Sequence, residues 1–534
     1  MITEMRKNMI KWIGCLALLM SSCFAAKAQT PVTPASVDRL KMESLWLRHT
    51  NNVAGAILDN PWHYALTDFE YMIEKGEFKR VQSGNDNNAF RFNTEGGGIY
   101  EALGGAYAWG EFHYDRSVLR GTKYNASLAD PLRGMPYIIA DPNPSKWINQ
   151  NYSMQVKLAS PLIWNQLILG VGATYENGIA AKQVDPRPKV LLSELSVNPA
   201  VVWTKGGHAV GADFVYISHR EDGAASNSNY RVPQMGWEML FPGYFMEGEI
   251  SSFGSITGLR NFNANGLGGG VQYGYEGPKF KVVAGGKYRQ TTENVTNSYT
   301  TPKRIGTTNK KEWTATAGAQ FLFNDRNSLF ADYKYYNRSI DGIEYIQIYN
   351  PAFESQEWIV YGKYIKSNYS TVNHNFGLDY MISIEGRSDF SWKFGVNALA
   401  EKLSDIYYLP ESTQEVKNLL VKAYVKKNFV FGKRSSLLLT LEGFMNKNTG
   451  AEHNYGGYYE NNVAYTQFAL MDFYYLSSSY NGFTVDANYT ISNIDRKQRT
   501  GVYVGASFNY VNPTSYKDYF DKRSTLTVKV GLAF

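Results

Sequence analysis

Residues 524–534 read STLTVKVGLAF and alternate strictly between apolar side chains and polar or small ones. The apolar positions are Leu526, Val528, Val530, Leu532 and Phe534, and the positions between them are Thr525, Thr527, Lys529, Gly531 and Ala533. Successive side chains of a β-strand point to opposite faces of a sheet. This stretch therefore predicts a strand with one apolar face, which Phe534 continues to the final position.

The same two-residue period recurs through most of the 534-residue chain. Clear examples are residues 279–290 (KFKVVAGGKYRQ), 312–323 (EWTATAGAQFLF), 389–398 and 483–491. Their polar faces are rich in Gly, Ser, Thr and Asn, with charges of both signs, and their apolar faces carry aromatic residues near strand ends. A soluble sandwich or barrel, which is the alternative, would show prominent Lys and Glu on its polar faces. Aromatic girdles at two lipid interfaces favour an all-β chain that forms a transmembrane antiparallel β-barrel.

The composition agrees with a β-rich chain. Charged residues make up 19% and aromatic residues 15%, and the 40 Tyr and 48 Gly differ from the profile of a helical cytosolic enzyme. The net charge of +6 is not gathered into a basic block, so no nucleic-acid partner is expected. After residue 28 there is no run of about eighteen apolar residues that would predict a transmembrane helix.

Residues 1–28 have the pattern of a secretory signal peptide. Basic residues precede an apolar run over positions 12–20, and the small-residue pattern at 26–28 predicts cleavage before Gln29. Cys23 leaves open the alternative of a lipoprotein. Because both cysteines, Cys15 and Cys23, lie in this segment, a chain cleaved before Gln29 would form no disulfide.

Turn lengths give a separate indication of a membrane barrel. Short links such as 276–279, 324–327 and 432–435 alternate with longer polar segments such as 116–150 and 220–264. Short turns on one side and long loops on the other are typical of outer-membrane barrels. Counting from Gly97 gives about seventeen candidate strands, an odd number that conflicts with two periplasmic termini. We therefore predict about sixteen strands, with 14–18 possible, and place the miscount between Ser435 and Ser492.

Residues 29–75 do not follow the two-residue period and form a separate, partly helical N-terminal segment before a barrel over 76–534. The stretch 36–60 clusters its apolar residues as a helix would, with an interruption at Asn51 and Asn52. Two interpretations stay open. The segment is either a periplasmic helix that caps the barrel or a plug inserted in its lumen.

The C-terminal stretch resembles the β-signal of outer-membrane proteins, which implies that Phe534 serves as an assembly signal for the barrel-assembly machinery. The stretches LWLRHTNNVAGAILDN (45–60) and GEFKRVQSG (76–84) are similar to an uncharacterised outer-membrane β-barrel family of Bacteroidota. This resemblance covers nearly all of the mature chain. It implies a location in the outer membrane of a Gram-negative cell, and it supplies no catalytic residues.

Candidate functional residues follow from the predicted lumen. If the apolar faces contact lipid, charged side chains of both signs point inward, as a lining for hydrophilic solutes would. The predicted lumen-lining residues are Lys281, Lys287, Arg289, Lys334, Arg338, Lys393, Asp332 and Asp389. The alternative is a salt-bridged network that only supports the wall.

A long loop places four aromatic residues on the predicted outer side. These are Trp237, Phe241, Tyr244 and Phe245, and they form either a platform that binds a ligand or partner, or a loop that folds over the barrel mouth and covers itself. The seven histidines are scattered, no His-x-Ser sequence occurs, and no triad is visible. We therefore expect no enzyme activity, no metal site and no cofactor.

The sequence predicts a barrel in the cell outer membrane that is surrounded by lipid and allows passage or uptake of a hydrophilic solute. An accessory role in an energised uptake system is one form of this function. The alternative is a non-conducting barrel that binds or assembles a surface partner through its extracellular loops. A surface lipoprotein or an uptake receptor is a candidate partner.

Overall fold

The computed structural model describes residues 32–229, 235–241, 243–245, 259–351, 357–432, 434–494 and 500–534. The predicted signal peptide at 1–28, with Cys15 and Cys23, lies outside the described residues. In the described part of the chain, three short helical elements precede the first strand, at Pro34–Glu43, Leu45–His49 and Val53–Ile57. Further short helices are Glu101–Leu103, Tyr465–Ala469 and Leu470–Leu476.

Strands dominate the part of the chain that the structure describes. They are β1 (Tyr64–Gly76), β2 (Asp86–Tyr100), β3 (Ala106–Thr122), β4 (Ile139–Ala140), β5 (Ser145–Ala159), β6 (Leu167–Lys182), β7 (Lys189–Lys205), β8 (His208–Ala224), β9 (Trp237–Phe241), β10 (Tyr244–Phe245), β11 (Leu259–Glu276), β12 (Phe280–Thr296), β13 (Arg304–Leu322), β14 (Asn327–Asn350), β15 (Glu357–Ser383), β16 (Phe390–Tyr408), β17 (Glu411–Phe431), β18 (Ser435–Asn454), β19 (Tyr480–Ile491), β20 (Gly501–Pro513) and β21 (Arg523–Ala533). The short strands β4, β9 and β10 form a small sheet of their own.

Within the described residues, the other eighteen strands form one closed antiparallel sheet. The sheet closes where the last strand, β21, pairs with both β20 and β1. Beyond the paired strands, Phe534 exchanges two backbone hydrogen bonds with Ala65, with N–O distances of 2.9 and 3.0 Å. The stretch 524–534 therefore forms one side of the seam that closes the barrel.

The face that points outward is apolar around the barrel. The four apolar residues of β21 and the adjoining Phe534 are each 39–48% exposed, whereas Gly531 and Ala533 between them are buried. Equivalent exposed positions on other strands include Phe69, Leu169, Val271, Trp313, Val396 and Val504. An apolar outer face on a closed barrel is the surface that lipid requires. The protein is an outer-membrane β-barrel. Among the described residues, none of the helices has the length and apolar character needed to span a membrane.

The eighteen strands lie at the upper end of the predicted range of 14–18, two above the preferred count of about sixteen. The strand β1 covers residues 64–76, most of which the sequence prediction assigns to the N-terminal segment. The count from Gly97 begins within β2 and therefore omits β1. The interval Ser435–Ser492, to which the miscount was attributed, holds β18 and β19, joined by a partly helical loop. The barrel thus begins at Tyr64 and not at residue 76.

We predict that removing Phe534 sharply lowers the amount of protein in the outer membrane. The deletion removes two seam hydrogen bonds at a lipid-facing position, where each unsatisfied backbone group costs about 2–7 kcal/mol. Quantitative blotting of outer-membrane fractions, with heat-modifiable gel migration as the sign of a closed barrel, measures the effect.

Phe431→Ala is the matched control, because Phe431 is also an exposed aromatic residue at the short-turn end of a strand, but β17 lies within the sheet. We expect this variant to reach the membrane at nearly wild-type levels. Equal levels and equal migration for the two variants would contradict the special role of the seam.

Candidate functional site

The N-terminal segment, residues 32–63, contacts inward-facing side chains near the short-turn end of the barrel. Thr33 caps the helix Pro34–Glu43, and its hydroxyl donates to Asp389 at 2.5 Å. In the same helix, the Asp38 carboxylate accepts from Lys393 at 3.2 Å and from Lys426 at 2.7 Å. Burial alone would raise the pKa of Asp38, but the two ammonium groups hold it below its usual value. This helix is therefore tied to β16 and β17 by charge.

The next helical turn, Leu45–His49, extends these contacts to neighbouring strands. Arg48 forms ion pairs with Asp332 and, at 3.6 Å, with Asp379. His49 places Nε2 at 2.8 Å from Asp332, so one carboxylate of β14 holds two side chains of the segment. The backbone N–H groups of this turn donate in the other direction, to Asp59 of the segment itself. Burial raises the pKa of Asp59 to about 7, although these two N–H donors act to lower it.

The end of the segment contacts a distant part of the wall. The Asn52 amide donates to the carbonyl of Val201 at 3.0 Å and to the side chain of Gln272 at 2.8 Å. A Cβ at Gly170 would lie 2.5 Å from the backbone nitrogen of Ala54, so only glycine leaves room for the chain there. Since β6 and β7 lie far around the sheet from β15 and β16, the segment crosses the inside of the barrel.

The long-loop end of the barrel is filled in a different way. A buried cluster joins residues of three loops with strand residues at this end of the barrel. It includes Tyr124, Tyr137, Trp237, Phe241, Phe262, Tyr369, Tyr407 and Phe468. Ion pairs surround it: Arg133 pairs with Glu221 at 3.0 Å and Glu293 at 2.8 Å, and Arg80 donates to Asp472 at 2.8 Å. The loops therefore fold inward and form an apolar cap.

This cap corrects the prediction of an exposed aromatic platform. Trp237 and Phe241 are only 2% and 3% exposed, and the Phe241 ring lies 5.5 Å from that of Tyr369. Burial removes their apolar surface from water, which agrees with the alternative of a loop that covers itself. The backbones of Tyr244 and Phe245 form β10, but their side chains lie outside the described residues.

The structure distributes the eight predicted lumen residues over several environments. Asp332, Asp389 and Lys393 contact the N-terminal segment. Arg289 pairs with Glu312 and Arg338 donates to Thr371, which are contacts within the wall. Lys281 pairs with Glu276 at the base of the neighbouring hairpin, and Lys287 and Lys334 line a cavity. The set thus divides into residues that contact the N-terminal segment, residues paired within the wall, and residues that line a cavity.

Two polar cavities lie inside the part of the barrel that the structure describes. One of about 390 Å³ lies between residues 47–51 of the segment and the inner wall of β8 and β11–β17. The other, of about 710 Å³, lies between residues 129–133 of the cap and the wall of β1–β7. No group of three or more His, Cys, Asp or Glu side chains among the described residues is arranged to hold a metal ion.

Sequence reasoning missed the residues of the segment that hold it in place, chiefly Asp38, Arg48 and His49. Their partners are far away in the chain: Arg48 and Asp332 are 284 positions apart, and Asp38 and Lys393 are 355 apart. Alternation along a strand reveals which side chains face inward, but it carries no information about which inward charges meet a segment from elsewhere.

Comparison with known proteins gives one family match. The model described as a family of unknown function (DUF6850) matches residues 53–534. No curated protein matches the chain. Among solved structures, the chain is similar to the copper transporter OprC at 10% identity, with 88% of this chain and 81% of that chain covered and a TM-score of 0.37.

Two further structures are similar at the same level. For BauA, the ferric preacinetobactin receptor from Acinetobacter baumannii, the identity is 10%, the coverage 89% and 80%, and the TM-score 0.38. For the ferric-catecholate import receptor Fiu from E. coli K12 in its closed form, the values are 7%, 88% and 82%, and 0.38.

We predict that Asp38→Asn loosens the N-terminal segment. The substitution leaves the buried Lys393 ammonium without its counter-ion, which costs docking of the segment about 3 kcal/mol. Limited proteolysis of the purified barrel should then cleave within residues 32–63 faster than in wild type, while β1–β21 stay resistant. Glu43→Gln is the matched control, since Glu43 belongs to the same helix and pairs with Arg39 of that helix.

Docking of the N-terminal segment should depend on pH with a defined sign. Because the pKa of Asp38 is lowered, its contribution is present at neutral pH and is lost as the pH falls through that lowered value, below about 4. Wild type should therefore become protease-sensitive in acid, and Asp38→Asn should lose this response. Equal cleavage of wild type and Asp38→Asn at neutral pH would contradict the proposed role of Asp38 in holding the segment.

Proposed function

Because the chain belongs to a family of unknown function (DUF6850) and forms an outer-membrane barrel, we propose on structural grounds that it is a gated barrel for uptake of a hydrophilic solute. Residues 32–63 act as the gate. They close the short-turn end, and they move or leave before a solute passes.

The chemistry of the interface between segment and wall supports this proposal. Asp38, Arg48, His49 and Asn52 make ion pairs and hydrogen bonds that water can replace when the segment departs. The segment also buries Leu40, Met42 and Trp46 in apolar clusters with wall residues, so its release exposes apolar surface at a cost of about 25 cal/mol for each Å². A barrel of this strand number is also wide enough for an aqueous channel once its lumen is clear.

The finer parts of the proposal concern the cell and the partners. We place the chain in the outer membrane of a Gram-negative bacterium of the Bacteroidota, with the barrel-assembly machinery recognising β21 and Phe534. An energised uptake system, with a surface lipoprotein or uptake receptor as partner, would supply the work of moving the segment. The proposal includes no catalytic step and no cofactor.

Liposome swelling tests the proposal. We predict that a chain without residues 29–62, which keeps the barrel from Tyr64 onward, admits small sugars faster than the full chain. Since the apolar cap also narrows the lumen, a second variant combines the deletion with Arg133→Ala, which removes the ion pairs to Glu221 and Glu293. Glu43→Gln in the full chain is the control and should stay closed. If both deletion variants show normal heat-modifiable migration but admit no sugar, a solute channel is excluded.

One surface favours the second candidate function, a non-conducting barrel that docks a partner. The strands β14 and β15 have 24 and 27 residues, whereas about 10 suffice to cross the membrane. The backbone pairing with β13 ends at Ile343 and that with β16 ends at Ser367, so residues 344–350 and 357–366 continue as a two-stranded ribbon. Side chains such as Gln347 still contact the start of β13. Its apolar side chains Ile348 and Tyr361 are 58% and 66% exposed on the long-loop side, where water replaces lipid.

We predict that Ile348→Ser with Tyr361→Ser abolishes co-purification of a partner in detergent extracts, because it removes the apolar contact surface without touching the barrel. Leu409→Ser is the control, since Leu409 is also highly exposed and lies in another turn at the same end. A partner retained by the ribbon variant, or a barrel that always purifies alone, would count against this second function.

A further inference from the structure

The cavity of about 390 Å³ beside the N-terminal segment is lined by two lysines. Lys287 on β12 lies opposite Thr314 of β13, and Lys334 on β14 lies opposite Thr316 of the same strand. The backbones of the two lysines thus flank β13 about 12 Å apart, because they are two strands apart and offset by two residues. Within the described residues, neither ammonium group makes a hydrogen bond or an ion pair.

Several other inward-facing cations in this region have counter-ions. Arg289 pairs with Glu312, and Lys393 and Lys426 pair with Asp38. Lys287 is partly buried, and an ammonium group that loses part of its water without gaining a close counter-ion is held at a cost. Lys334 is exposed to the cavity. Both ammonium groups are therefore available to a ligand in the cavity.

The carboxylates that line the same cavity already accept hydrogen bonds. Asp332 is held by Arg48 and His49. Asp379 accepts from the Tyr424 hydroxyl, and Asp213 accepts from the side-chain amides of Gln272 and Asn198. The free hydrogen-bonding capacity of the cavity is thus mostly that of donors: the two ammonium groups, with the hydroxyl group of Thr314 between them, since Thr316 already donates to the His49 carbonyl.

We infer that this cavity binds a small anion that carries carboxylate or phosphate groups, with Lys287 and Lys334 as its two cationic ligands. The inference rests on the proposed uptake function and names the class of its solute. A dianion suits the site best, because each ammonium group then gains one charge-assisted hydrogen bond. The volume lies in the range of small-molecule pockets.

Isothermal titration of the purified full chain tests the inference with four probes: succinate, inorganic phosphate, glucose and putrescine. We expect succinate or phosphate to bind, and glucose and putrescine not to bind. Each of Lys287→Gln and Lys334→Gln should weaken binding by about tenfold, the loss of one hydrogen bond to a charged group, and the double variant should abolish it. Binding of succinate alone points to a carboxylate solute, and binding of phosphate alone points to a phosphorylated one.

Lys422→Gln is the matched control. Lys422 also faces the lumen, on β17, but its ammonium group lies 5.9 Å from the ring centroid of Phe444 and away from the cavity. This variant should bind as wild type does, and heat-modifiable migration should show that all variants are folded. Failure of both anions to bind wild type, equal loss in the Lys422 variant, or binding of putrescine would overturn the inference.

The two proposals can fail separately. A chain that binds the anion but stays closed after removal of residues 29–62 would refute the channel and keep the site. A channel that opens on this deletion but binds neither anion would refute the site and keep the channel.

Discussion

The structure depends on one constraint, which is that lipid offers no hydrogen-bond partner to a backbone N–H or C=O group. A sheet in lipid must therefore close on itself, and the pairing of β1 with β21 completes that closure. Closure of eighteen strands has a consequence of its own, because the enclosed space is wider than inward-pointing side chains can fill. The remaining space has to hold either water or other parts of the chain. In this protein the N-terminal segment and the long loops occupy much of it.

The two fillings differ in chemistry. The cap at the long-loop end is a cluster of aromatic and aliphatic side chains, so opening it would expose apolar surface to water. The N-terminal segment combines ion pairs and amide contacts with apolar side chains such as Leu40 and Trp46, which are buried in clusters with wall residues. Its polar contacts exchange with water at a small net cost, but its apolar contacts do not. Displacement of the segment therefore requires work, which is the part that an energised uptake system plays in the proposed function.

The sequence predicted what alternation can reveal. Inward and outward faces follow directly from a two-residue period, so the barrel and the apolar seam strand were predictable. The strand β1 was missed although Phe69, Tyr71 and Ile73 alternate with acidic residues, because helix-like residues before it drew the segment boundary too far along the chain. Loop direction was not predictable either. Trp237 and Phe241 are apolar in any fold, but only the positions of Tyr369 and Tyr407 on other strands determine that they turn inward.

The same separation along the chain explains why the candidate site could be predicted only in part. Lys287 and Lys334 were recognisable as inward cations, but their lack of counter-ions depends on Arg48 and His49, which come from the N-terminal segment and occupy Asp332. Asp332 lies two residues from Lys334 on the same inner face. An anion at the lysines would consequently lie beside Arg48, the cation that holds the segment. Arg48 would then take part both in binding the anion and in docking the segment. By linkage, the anion must change the docking equilibrium of the segment by the same factor by which docking changes the affinity for the anion.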